Sequence, residues 1–165
     1  MWLGRVRYMT KLTSWIVAGC LAAASSVPAA AATIEDMNGY WSGNGSVVLS
    51  NGNTERVKCS VVYKVTDGGA QIRQTMRCAS ADYKIDALAD LRVKGERVSG
   101  SWEEKTYSAT GAVSGRFSDN NFVLSIQGAN FSAAMNVSVS DCKQNISISP
   151  QGLEVTRISI GLGKC

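Results

Sequence analysis

The sequence predicts an all-β protein, an antiparallel meander that closes into a small up-and-down β-barrel of about eight to ten strands. Apolar and polar residues alternate along short segments throughout residues 33–165, which is the pattern of strands with one buried face. Tight turns separate these segments, and none has the spacing of an amphipathic helix. Because the apolar faces are one-sided, the sheet must cover that side, and a closed barrel does so without exposed edges. A two-sheet β-sandwich is the alternative.

Residues 1–32 have the organisation of a secretory signal peptide. Three basic residues precede a mostly apolar run, and a row of small residues forms a cleavage site before Thr33. We therefore predict that residues 1–32 are removed on export. Residues 33–165 are then expected to form a single β-barrel domain that is periplasmic or secreted.

Cys20 predicts an alternative localisation. Val17–Cys20 resembles a bacterial lipobox, so a lipoprotein anchored through Cys20 is the alternative. The residues after Cys20 stay apolar, which favours simple cleavage. No later stretch approaches the roughly 18 apolar residues of a membrane-spanning helix, so we expect no transmembrane segment after signal removal.

The folded part is expected to be nearly neutral. The chain has 17 basic and 13 acidic residues, and residues 1–32 hold three of the basic ones and none of the acidic ones. The remainder, 14 basic against 13 acidic, has a net charge of +1, so no nucleic-acid partner is indicated. Histidine is absent, and nothing clusters like a zinc or calcium site, so neither a metal nor a cofactor is predicted.

The first strands can be placed in order from the alternation. The first strand has an inward face made of Trp41, Gly43, Gly45, Val47 and Leu49. Residues 57–65 and 72–78 form a hairpin around Asp67–Gly69, since glycine accepts the positive φ of a tight turn. With Gly68 and Gly69 as a two-residue loop, Val65 pairs with Ile72 and the two apolar faces match.

The same pattern continues to the end of the chain and brings the total to about ten strands. The later apolar faces run over Tyr83–Val93, Val98–Trp102, Val113–Phe117, Phe122–Ile126, Phe131–Val139, Ile146–Ile148 and Leu153–Leu162. In the last of these, the apolar parity shifts between Val155 and Ile158. That shift predicts a β-bulge near Arg157.

Four cysteines remain after the signal peptide, which suggests two disulfides in an oxidising compartment. The hairpin register places Cys59 opposite Cys78, at a separation that a disulfide accepts. The last strand returns to the end of the sheet where the Cys142 loop lies, so Cys165 finishes near Cys142. We predict the pairs Cys59–Cys78 and Cys142–Cys165.

Gly39-Tyr40-Trp41 opens the first strand and resembles the Gly-x-Trp signature of the lipocalin and calycin barrels. The resemblance extends to the length, the antiparallel meander and the secretion signal. It implies that Trp41 sits at the closed end of the barrel under an arginine from the last strand, a part that Arg157 could play. Small bacterial metalloprotease inhibitors share a barrel of this size, a Gly-x-Trp start and a disulfide.

The inward positions mix large and small residues. The candidate ligand-binding residues are Trp41, Tyr63, Met76, Tyr83, Trp102, Phe117, Phe122 and Met135. Inward glycines and alanines, such as Gly43, Gly100, Gly115, Ala89 and Ala133, would make room for a ligand. Gln74 and Glu104 could orient its polar group. The alternative is a filled barrel in which large and small residues alternate to fit the taper.

We expect an exported, non-enzymatic barrel that binds a small apolar or amphipathic ligand. Alternatives are an interaction or protease-inhibitor-like protein that acts through its rim, with a protruding segment at 33–38, and a structural envelope protein. An enzyme is disfavoured, because Glu103 and Glu104 are neighbours on a strand and point to opposite faces. The partner is a small hydrophobic ligand or an envelope protein, and the oligomeric state stays open.

Overall fold

A computed structural model describes residues 33–165 of the chain. The predicted signal peptide, including the alternative lipidation at Cys20, lies outside the described residues. Ten strands are present in residues 33–165: β1 Gly39–Leu49, β2 Thr54–Thr66, β3 Gln71–Ala79, β4 Lys84–Lys94, β5 Arg97–Glu104, β6 Ala109–Ser118, β7 Asn121–Gly128, β8 Ser132–Ser140, β9 Lys143–Gln151 and β10 Val155–Gly163.

The ten strands form a closed up-and-down barrel. Each strand pairs antiparallel with its neighbours in sequence, and β1 also pairs with β10. The closing ladder runs from the pair Ser42–Gly163 to the pair Leu49–Val155. This confirms the predicted barrel and excludes the sandwich alternative, because a sandwich would leave unpaired edges.

The barrel has two different ends, which we call the closed end and the open end. The closed end carries the turns at 67–70, 95–96, 119–120 and 141–142. It also carries the N-terminal plug, a 3-10 helix over Ile34–Met37 whose Met37 side chain is buried. The open end carries the turns at 50–53, 80–83, 105–108, 129–131 and 152–154. No helix within residues 33–165 is long and apolar enough to span a membrane.

The first hairpin has the predicted register. Val65 pairs with Ile72 and Cys59 pairs with Cys78, and the two cysteines are joined as a disulfide. Gly68 and Gly69 both have positive φ, at 61° and 86°, which is the backbone conformation that glycine adopts without steric cost. The turn chemistry and the matched apolar faces therefore specify the same pairing.

The last strand also behaves as predicted. The register with β1 shifts at Val48–Leu49, opposite the segment Val155–Arg157, so the bulge near Arg157 is confirmed. Beyond β10, Cys165 forms a disulfide with Cys142, which ties the chain end to the turn between β8 and β9. Both predicted cysteine pairs are thus present.

Inward-facing side chains of all ten strands form one hydrophobic core. The inward glycines have a different role from the one predicted, because no glycine lines the interior cavity. A Cβ at Gly43, Gly100 or Gly115 would overlap a backbone carbonyl oxygen of the adjacent strand. These glycines let neighbouring strands approach closely, and the space inside the barrel comes from alanines instead.

Candidate ligand cavity

The barrel encloses a cavity of about 410 Å³ that reaches the surface at the open end. Its walls come from the inner faces of all ten strands, β1 contributing Leu49, and are mainly apolar, with Ala89 and Ala133 providing space between larger side chains. Tyr107 and Leu153, in turns of the open end, border the mouth and are 60% and 50% exposed. The other side of the barrel interior is filled, since Val57 and Val61 of β2 are buried and do not line the cavity.

Six of the eight predicted ligand-binding residues line this cavity: Tyr63, Met76, Tyr83, Trp102, Phe122 and Met135. The other two, Trp41 and Phe117, do not. Phe117 lies next to the turn at 119–120 of the closed end and packs against Phe122, with 4.5 Å between ring centroids. Both residues occupy inward positions as their parity predicts, but neither contributes to the cavity wall. Phe117 is paired directly with Phe122, which does line the cavity, and Trp41 is paired with Val61 on the filled side of the interior.

Trp41 closes the barrel from inside. Its side chain is fully buried, and its Nε1 donates a hydrogen bond of 2.7 Å to the carbonyl oxygen of Met37 in the N-terminal plug. The Nζ of Lys164 lies 5.5 Å from the Trp41 ring centroid and donates to the carbonyl oxygen of Asp36 at 2.8 Å. A cation from the last strand's end therefore does cover this tryptophan, through a cation–π contact.

That cation is not Arg157. Arg157 is exposed and pairs with Val48 near the open end, at the opposite end of the barrel from Trp41. β10 runs from the open end to the closed end, so the cation over Trp41 comes from the residue directly after Gly163. The expectation for Arg157 was wrong, because it used the residue type that the lipocalin resemblance implies without the direction of the strand.

One aromatic residue of the mouth was missed by sequence reasoning. Tyr107 lies in the turn between β5 and β6, and its ring centroid is 6.2 Å from that of Tyr83. The alternation rule assigns faces only within strands, so Tyr107 escapes it. A large aromatic residue in an otherwise polar turn was the available signal. Phe131, which the alternation placed on an inward face, lies just before β8, lines the cavity and meets Trp102 edge-on at 5.7 Å.

A chain of hydrogen bonds between uncharged side chains crosses the cavity floor. Gln74 Nε2 donates to the Tyr63 hydroxyl at 3.2 Å, and that hydroxyl donates to Gln144 Oε1 at 3.0 Å. All three residues are buried, and the first two line the cavity. Burial raises the pKa of Tyr63 well above its usual range, so the phenol stays neutral. Gln74 was expected on the inner face, whereas Gln144 was not singled out.

We expect Tyr63 to make the barrel sensitive to alkali. A phenol whose pKa is raised in the folded state stabilises the fold below its unfolded pKa of about 10, and that stability is lost as pH rises further. Above that pH, Tyr63→Phe should make the fall in unfolding free energy shallower by up to about 1.4 kcal/mol per pH unit. Denaturant unfolding across alkaline pH measures this slope, with Tyr40→Phe as an exposed control. Equal slopes for the two variants would contradict the prediction.

Glu104 lines the cavity, and each of its oxygens accepts a backbone hydrogen bond. Oε1 accepts from the backbone N–H of Asp86 at 2.8 Å, and Oε2 accepts from the backbone N–H of Tyr107 at 2.7 Å. The carboxylate thus joins β4 to the turn that carries Tyr107. These two bonds give Glu104 a structural role, which holds the mouth in place.

No family model matches the sequence, and no curated protein matches it. Solved structures do match the fold. An S-type phycobiliprotein lyase from Guillardia theta has a TM-score of 0.58 at 14% identity, over 80% of this chain and 90% of that one. Rv2717c from M. tuberculosis has a TM-score of 0.61 at 14% identity, over 80% of this chain and 94% of that one.

A third similar structure is a protein of unknown function from the DUF3598 family of Nostoc punctiforme, with a TM-score of 0.56 at 13% identity. The match covers 81% of this chain and 49% of that protein, so this chain spans about half its length. At such low identities, these likenesses show the fold alone. They support the barrel that the resemblance to lipocalins and calycins implies.

Proposed function

We propose that this chain is an exported, non-enzymatic binding protein that holds a small apolar or amphipathic ligand inside its barrel. The observation that carries the proposal is the cavity of about 410 Å³, which has mainly apolar walls and reaches the surface at the open end. Its volume falls within the roughly 300–1,000 Å³ of ligand pockets. Like those pockets, it has apolar walls with a few polar groups.

The N-terminal segment supports this function over action through the rim. A rim-binding inhibitor would be favoured by a filled core and a protruding segment at 33–38. Instead, the N-terminal plug folds over the closed end, with Met37 buried and its carbonyl oxygen bonded to Trp41. The segment seals the closed end of the barrel, and the cavity is open at the other end.

Two further features support an exported and non-enzymatic role. The pairs Cys59–Cys78 and Cys142–Cys165 are typical of proteins in an oxidising compartment. The adjacent carboxylates Glu103 and Glu104 diverge, one exposed and one buried against backbone N–H groups. The two carboxylates are therefore not placed to act together as acid and base on one substrate.

The direct test is to fill the cavity. Ala133 lines the cavity on β8, and we expect Ala133→Phe to weaken the binding of N-phenylnaphthylamine, an uncharged fluorophore, by on the order of tenfold or more. The added ring would occupy space that the ligand needs. Fluorescence titration measures the affinity, and native mass spectrometry of the protein from its host envelope reports any molecule bound in the cell.

The matched control is Ala134→Phe, the same substitution one residue further along β8. Ala134 is exposed on the outer face, so its phenylalanine does not enter the barrel. Circular dichroism and thermal unfolding of both variants exclude a folding defect as the cause of lost binding. Unchanged binding in Ala133→Phe, or equal loss in both variants, would refute a ligand site inside the barrel.

A further inference from the structure

The charges around the cavity have one sign. Among the residues that the structure describes, the charged side chains lining the cavity are Glu104 and Glu154, and neither lysine nor arginine lines it. Glu104 is 5% exposed and held by two backbone N–H groups, whereas Glu154 is exposed at the mouth. A carboxylate ligand would therefore enter beside negative charge and find no cation to pair with. Burying such an unpaired charge is strongly unfavourable.

The floor of the cavity is polar but uncharged. Gln74 is 7% exposed and donates its Nε2 to Tyr63, which leaves its Oε1 free to accept a hydrogen bond. Behind it, Gln144 is 1% exposed, and its Nε2 has no hydrogen-bond partner among the described residues. Gln144 does not line the cavity, so the group that a ligand meets is the free acceptor of Gln74. That oxygen can bond a ligand that donates a proton, as an alcohol does, whereas an ionised carboxylate has none to donate.

We infer that the cavity selects amphiphiles whose inner end is an uncharged hydrogen-bonding group, such as an alcohol, and rejects carboxylates of the same chain length. The inference rests on the proposed ligand-binding function and names the ligand class for the same site. The apolar walls bind the hydrocarbon chain, and Gln74 hydrogen-bonds the hydroxyl at the floor. Glu104 and Glu154 oppose an anion.

Three probes with one chain length test the selectivity. Decanol, decanoate and decylammonium would each displace N-phenylnaphthylamine from the purified protein, at a pH where the acid and the amine are both ionised. Decanol should bind at least on the order of tenfold more tightly than decanoate. Decanoate binding as tightly as decanol would overturn the inference. Decylammonium binding more tightly than decanol would overturn it as well, since the carboxylates would then set the preference.

Variants of Gln74 test whether the floor of the cavity sets the selectivity. Gln74→Lys supplies the missing cation and should shift the preference toward decanoate, whereas Thr75→Lys, on the outer face of the same strand, should not. If Gln74→Lys does not fold, Gln74→Leu replaces the polar side chain at the floor with an apolar one of similar size and should narrow the advantage of decanol over decanoate. A Gln74→Leu variant that keeps the full advantage would overturn the inference.

Failure of this inference can be separated from failure of the proposed function. If the fluorophore binds, Ala133→Phe blocks it and decanoate still competes as well as decanol, then only the choice of ligand class is wrong. If the fluorophore does not bind, or Ala133→Phe leaves its binding unchanged, then the ligand-binding function itself is wrong and this inference falls with it.

Discussion

Trp41→Ala should lower the free energy of unfolding by about 3–5 kcal/mol, a large share of the total stability of a domain this size. The side chain is fully buried at the closed end, so truncation leaves a cavity that the ring of strands cannot collapse to fill. It also leaves the carbonyl oxygen of Met37 without its 2.7 Å hydrogen bond and removes the ring beneath Lys164. Urea unfolding monitored by circular dichroism measures the loss.

Trp102→Ala is the matched control, because Trp102 is the other tryptophan within residues 33–165. Its side chain is only partly buried and lines a cavity that is already open, so its removal should cost clearly less. Trp41→Phe should fall between wild type and Trp41→Ala, since it keeps most of the ring volume but loses the Nε1 donor. If Trp102→Ala were less stable than Trp41→Ala, then the closed end would contribute less to the free energy of unfolding than the cavity wall does, contrary to the prediction.

The second large effect is expected at Gly43. Its Cβ, if present, would overlap the carbonyl oxygen of Gly161 on the adjacent strand, and it would lie 3.0 Å from the Cα of Leu162. The atoms in the way are backbone, so a rotamer change cannot relieve the overlap and the β1–β10 ladder must move. We expect Gly43→Ala to cost about 3 kcal/mol or more, at the upper end of overpacking effects. Because this ladder closes the barrel, reduced cooperativity of unfolding should accompany the loss.

Gly161→Ala provides the control on the opposing strand. Gly161 is exposed on the outer face, and a Cβ there would have its nearest contact at 3.7 Å, with the Oδ1 of Asn145. That is an ordinary van der Waals distance, so the variant should unfold with nearly wild-type stability. Equal destabilisation by Gly43→Ala and Gly161→Ala would mean that alanine disturbs this ladder for a reason other than the close approach at Gly43.

The register of the β2–β3 hairpin was predictable because two independent signals agree. In the β2–β3 hairpin, the glycine turn and the matching apolar faces lead to one pairing, and a slip by one residue would turn every apolar side chain outward. The Cys59–Cys78 disulfide follows from that register. The bulge opposite Val48 was visible for the same reason, since the parity of β10 changes between Val155 and Ile158.

The candidate site was predictable only in part. Alternation states which side chains point inward, and six of the eight predicted residues do line the cavity. Alternation does not state where the interior is packed solid and where it is open. Phe117 and Phe122 are opposite each other in the β6–β7 ladder, yet Phe122 lines the cavity and Phe117 does not, and Trp41 lies beside Val61 on the filled side.

The sequence by itself determined the all-β class, the up-and-down meander, the register of the β2–β3 hairpin, both disulfides and the inward face of each strand, because all of these depend on local periodicity, turn chemistry and direction along the chain. Only the tertiary structure decided which end is sealed, that Lys164 rather than Arg157 covers Trp41, and that the glycines serve strand contact while Ala89 and Ala133 leave space. Those features depend on the tilt and curvature of the closed sheet, which bring together residues far apart in the chain.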